Sequence, residues 1–83
     1  MERPLHEVIY DSLVDMGLKE KYGRPGIYSI SIGEKLVYIG KSRDMLVRIS
    51  NHLEEIETNE KTNKYIVLRA AREKGIRLNF DVM

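Results

Sequence analysis

The segment GIYSISIGEKLVYIGKSRDMLVRISNH, residues 26–52, decides how this chain folds. Ile27, Tyr28, Ile30 and Ile32 make one run of strand formers, and Val37, Tyr38 and Ile39 make another. Gly33-Glu34 between them supplies turn chemistry, so the spacing predicts a hairpin over residues 26–40. Two near-mirror words bound it, Gly26-Ile27-Tyr28 and Tyr38-Ile39-Gly40, with nine residues between them. Side chains alternate along a strand, so Tyr28 is expected to share a face with Ile30 and Ile32, and Tyr38 with Leu36. A hairpin brings facing residues close, which places two phenols on one patch of sheet. Gly26 and Gly40 fall at the outer strand ends, where glycine admits the close approach of a backbone or a ligand.

A helix follows. Ser42 is its expected cap, with Asp44 in the first turn. Leu46, Ile49, Leu53 and Ile56 step by three or four and form a buried stripe. Arg48 and His52, four residues apart, lie on one flank beside that stripe. They are expected to look along the sheet surface toward the two phenols. A guanidinium offers a fork to phosphate oxygens, and a phenol or imidazole can take a proton from water.

Outward from this centre, Pro4 opens a helix over residues 4–17 with Leu5, Val8, Ile9, Leu13 and Met16 on one stripe and Gly17 as its stop. LKEKYGRPG reads as a connection. A further helix runs from about Lys61 to Lys74, with Ile66, Val67, Ala70 and Ala71 inward and Gly75 ending it. Ile76, Leu78, Phe80 and Val82 then alternate with polar residues as a half-buried strand. The order helix, strand, strand, helix, helix, strand predicts an α+β domain: a small antiparallel three-stranded sheet flanked by helices, with an N-terminal helix.

At 83 residues the chain is one domain at most. It has no cysteine, which excludes disulfides and thiolate zinc sites and fits a reducing compartment. No apolar run reaches the roughly 18 residues of a membrane span, and the chain reads as cytoplasmic. The net charge of +1 hides a strong asymmetry. Glu54, Glu55, Glu57 and Glu60 form an acidic run without a base. Lys61, Lys64, Arg69, Arg72, Lys74 and Arg77 then stand against Glu73 alone. Such a stripe suits a phosphate backbone, and it is also the ordinary solvated face of a helix.

PGIYSI, followed by VYIGKSRDMLVRISNHL with an arginine eight residues past the second glycine, resembles the GIY-YIG nuclease domain. The resemblance covers about residues 24–83, including the helix pair and a terminal FDV run, and leaves residues 1–23 as an N-terminal helical extension. It implies a DNA endonuclease that uses one Mg²⁺ or Mn²⁺. Tyr28, Tyr38, Arg48 and His52 would be its catalytic residues, with Tyr28 ahead of Tyr38 as the phenol that handles the attacking water. Gly26, Gly40 and Lys41 would contact substrate, and the basic stripe adds Lys64, Arg69 and Arg72. The family binds its metal through a glutamate on a helix beyond the third strand. The sequence stops at Met83, within or just after that strand, and no residue up to Met83 matches the glutamate, which is expected beyond it. The chain is therefore read as a fragment or as a reduced member, expected to bind DNA weakly and to cut it slowly or not at all. The alternative is a DNA-docking or interaction module that keeps the fold without catalysis. Self-association through the N-terminal helix or an uncovered sheet face is a further expectation.

Overall fold

The computed structural model describes residues 3–59 and 61–83. Met1 and Glu2 of the expected extension, and Glu60 of the acidic run, lie outside them. The described residues form an α+β domain with four helices and a three-stranded antiparallel sheet ordered β2-β1-β3. β1 (Gly26–Ile32) and β2 (Lys35–Ser42) form the expected hairpin, and Gly33, at φ +59°, takes the left-handed turn position. β3 (Leu78–Val82) pairs along the other edge of β1. Ile76 stands outside it and is exposed. Met83 falls just after β3 rather than within it, and its N–H still donates to the Ile27 carbonyl at 2.8 Å.

One expected detail of the hairpin is corrected. Ile30 pairs with Tyr38 but Ser31 pairs with Leu36, so β2 carries one extra residue, Val37, at a bulge. The bulge moves Leu36 to the face opposite Tyr38. Tyr28, Ile30 and Tyr38 share the face that meets the helices. Ile27, Leu36 and Ile39 on the other face are about half exposed.

α3 (Met45–Thr58) packs across the sheet. Its cap is Asp44 rather than Ser42: the Asp44 carboxylate accepts the N–H groups of Leu46 and Val47 at 3.1 and 3.2 Å. Ser42 instead braces Asp44, accepting its N–H and donating to its carbonyl. Leu46, Ile49 and Ile56 are buried as expected, and Leu53 is half-buried. Met45, Ser50 and His52 are buried as well. The arc is wider than a single stripe because α3 is covered from two sides.

α1 (Leu5–Asp15) provides one of those covers, and its expected stripe is corrected. Leu13 reaches the core as expected, but with Tyr10 and Val14, while Leu5, Val8 and Met16 are exposed. The carboxylate of Glu54 on α3 sets this rotation, accepting the His6 backbone N–H at 2.6 Å and lying 3.0 Å from Nδ1. The connection after α1 contains a short helix, α2 (Lys19–Tyr22). Its Tyr22 joins the core and donates its hydroxyl to the Phe80 carbonyl of β3.

α4 (Asn63–Glu73) is also turned from its expected face. Ala71 is buried as expected, but with Tyr65 and Leu68, whereas Ile66, Val67 and Ala70 are exposed. Polar contacts decide the rotation. Tyr65 reaches His52, and Arg69 donates to the carbonyls of Ile56 and Asn59 at the end of α3. Among the described residues no helix is long and apolar enough to cross a membrane.

Candidate active site around His52

The site starts from the hairpin register. Tyr28 faces Gly40 across the strands, and the next inward pair is Ile30 with Tyr38. The two phenol rings therefore lie on one face, 6.2 Å apart between centroids. The ring of Tyr28 crosses the backbone of Gly40. A Cβ on Gly40 would stand 2.5 Å from both Cζ and Oη of Tyr28. The space expected to admit a ligand or another backbone is thus filled by the chain's own phenol. Gly26 has a comparable neighbour, for a Cβ there would meet the Met45 thioether at 2.9 Å.

Arg48 and His52 separate. Four residues on a helix differ by about 40° in direction, and that offset is decisive here. Arg48 stays exposed at the rim, whereas His52 is fully buried, and not along the sheet surface as its spacing predicts. The His52 imidazole is the centre of the cluster. Nε2 lies 2.6 Å from the Tyr28 hydroxyl, and Nδ1 lies 2.8 Å from the Tyr65 hydroxyl. The Tyr38 ring stands edge-on at 5.3 Å. Residues from β1, β2, α3 and α4 thus meet at one ring.

Electrostatics keep the ring neutral. Burial, and then the charges of Lys64 and Arg48, lower the His52 pKa to about 4. Burial raises Tyr28 above the ordinary phenol range, Tyr38 adds to the rise, and Arg48 opposes it. Tyr65 is raised by burial and then by the charge of Glu55. The two buried phenols are hydroxyls at neutral pH, and the imidazole between them is uncharged.

Tyr38 differs from Tyr28. It is partly exposed and borders a groove of about 380 Å³, lined also by Val37, Asn63, Lys64, Val67 and Leu68. The Lys64 ammonium sits 3.9 Å from its ring centroid, a cation–π contact. Other expected contact residues are placed elsewhere. Lys41 pairs with Ile27 and so projects from the opposite face of the sheet. Arg69 is spent on the end of α3, and Arg72 is paired with Glu57.

The sequence pattern read for apolar residues alone does not single out Tyr65. A signal exists: Tyr65, Leu68, Arg69 and Arg72 follow the i, i+3, i+4, i+7 rule, but the two arginines hide the stripe among the charges.

Mg²⁺ takes carboxylate oxygens and waters. The cluster offers phenols and an imidazole whose nitrogens are both bonded, a donor set that does not fit it. Glu55, whose charge reaches Tyr65, accepts a hydrogen bond from Asn59. Among the described residues no group of three or more His, Cys, Asp or Glu side chains is placed to hold a metal ion. The glutamate expected beyond Met83 lies outside the described residues, and no carboxylate among them takes its place in the cluster. Comparison of the chain with family models, with curated proteins and with solved structures finds no match.

Proposed function

We propose that the chain is a GIY-YIG-type endonuclease domain acting on DNA phosphodiester bonds, with Tyr38 and Arg48 on its substrate face. The observation that carries this reading is the convergence on His52. Tyr28 and Tyr38, the tyrosines of the two mirror words, pack against the imidazole, and the charge of Arg48 reaches it from the rim.

The parts divide by exposure. Tyr28 is fully buried and its hydroxyl meets His52, so it braces the site. Tyr38, beside the open groove, takes the role of meeting water or a phosphate oxygen, which reverses the expected order of the two phenols. Arg48 is exposed and able to fork onto non-bridging oxygens, where it would offset charge developing in an in-line attack. Lys64 adds a second cation beside Tyr38. The cluster's donor set does not fit Mg²⁺, so these roles rest on the chain's own side chains.

A second reading, a DNA-docking module without catalysis, is favoured by one observation: both nitrogens of His52 are engaged inside the protein, so it has no open position for a substrate proton. A plasmid assay separates the readings. Supercoiled DNA is incubated with the purified chain and Mg²⁺ or Mn²⁺, beside Arg48→Ala and Tyr38→Phe. Nicks that vanish in both variants support hydrolysis. Duplex binding without nicks overturns hydrolysis by these 83 residues and leaves docking as their role. Neither binding nor nicking overturns both.

A further inference from the structure

The groove beside Tyr38 is lined in a way that a phosphate contact does not explain. About 380 Å³ in volume, it is bounded by Val37, Tyr38, Asn63, Lys64, Val67 and Leu68. Lys64 alone among them is charged, and its ammonium lies 3.9 and 4.7 Å from the ring centroids of Tyr38 and Tyr65. Leu68 is buried, while Val37 and Val67 stand exposed. Val37 is the extra residue of the β2 bulge, and Val67 lies on the face of α4 turned outward by the contacts of Tyr65 and Arg69. Phosphate and sugar oxygens take charges and hydrogen-bond donors. Aliphatic walls suit the flat face of a base instead. A phosphate at Tyr38 and Arg48 carries a nucleoside on each side, so a base arrives at the groove with it. In an intact duplex that base shows only its edges, because its faces are stacked. A base out of the stack can lay a face against Val37 and Val67. Asn63, exposed at the same groove, offers an amide donor and acceptor to the edge of such a base.

We propose that the groove between β2 and α4 is a subsite for one extrahelical base, so that the substrate of this site is DNA with an unpaired nucleotide beside the phosphate that Tyr38 and Arg48 meet. The proposal rests on the phosphodiester reading and adds the base to it. Lys64 serves the backbone, and Val37 and Val67 serve the base.

The test is fluorescence anisotropy of the full chain, without divalent metal, on three labelled DNAs. One is a fully paired duplex. The second carries one extra unpaired adenosine in one strand. The third carries an abasic residue in that place, which keeps the irregular backbone and removes the base. The adenosine bulge is expected to bind about five- to tenfold more tightly than either of the others, the low end for stacking one base. Val67→Gln exchanges an exposed apolar side chain for a neutral polar one. It should bring the adenosine bulge down to the abasic level and leave the paired duplex as it was. Equal affinity for the adenosine and abasic bulges overturns the subsite, and so does a folded Val67→Gln protein that keeps the preference. Should Val67→Gln fail to fold, the two bulges on the wild type decide. Salt-dependent binding of all three DNAs alike overturns the subsite and leaves the phosphodiester reading standing. Binding of none overturns that reading, and the subsite with it.

Discussion

The ring of Tyr28 lies across the backbone of Gly40, its cross-strand partner. This relationship explains the mirror symmetry of the two words. The tyrosine of the first needs the glycine of the second, because any Cβ at residue 40 would occupy the phenol's place. The phenol in turn must lie flat there for its hydroxyl to reach His52.

Gly40→Ala is therefore expected to destabilise the fold by about 2–3 kcal/mol, the cost of overpacking a rigid ring. Gly26→Ala should cost less, since the group it meets is the flexible end of Met45. Urea unfolding of both variants checks the order. In a Tyr28→Ala background the Gly40→Ala penalty should largely disappear, because the two residues are coupled. Additive losses would show that the contact is not the cause.

Stability should have a pH window set by the cluster. His52 titrates at about 4 when folded and near 6.5 when free. The unfolded chain binds more protons between those values, so stability falls as pH drops from about 6.5 to about 4, by roughly 3 kcal/mol in all. Tyr28 and Tyr65 act at the other end. Their raised values mean that stability is present below pH of about 10 and is lost as pH rises through the folded values. Urea midpoints from pH 7 to pH 4.5 should decline in the wild type and much less in His52→Gln. An equal decline in both would assign the effect to other groups.

Arg69→Ala should act on stability. Its guanidinium closes the end of α3 through Nε to the Ile56 carbonyl at 2.6 Å and Nη2 to the Asn59 carbonyl at 2.9 Å. Charge-assisted bonds of this kind are worth about 1.5–3 kcal/mol, and the expected loss is of that order. Arg69→Lys should recover only part of it, because a single ammonium cannot span both carbonyls. A melting temperature unchanged in Arg69→Ala would contradict the assignment.

The hairpin, the paired phenols and the order of the larger elements are legible in the sequence because they follow local rules. Alternation puts Tyr28 on the face of Ile30, and Gly33 marks the turn. What the sequence hides depends on tertiary polar contacts. Val37 enters as a bulge that no residue type announces, and it reverses Leu36. α4 is turned by the hydroxyl of Tyr65 and the guanidinium of Arg69 rather than by Ile66 and Val67. α1 is turned by Glu54, which lies 48 residues from His6. His52 lies beside the stripe on a helical projection, yet the bulk of α4 covers it. Periodicity reports which side of a helix is apolar, not which buried partner has a hydrogen bond to offer.

The central claim is that Arg48, at the rim of the phenol and imidazole cluster, meets DNA phosphate. Fluorescence anisotropy of a labelled duplex, titrated with wild type and with Arg48→Ala over a range of salt, tests it most directly. Arg48 is exposed, so the variant should melt like the wild type. Wild-type affinity is expected to fall steeply with salt as counterions are released. Arg48→Ala should bind more weakly on every sequence, with a salt slope smaller by about one. A variant that binds as tightly as the wild type with the same salt slope, or a wild type whose binding ignores salt, would contradict the account.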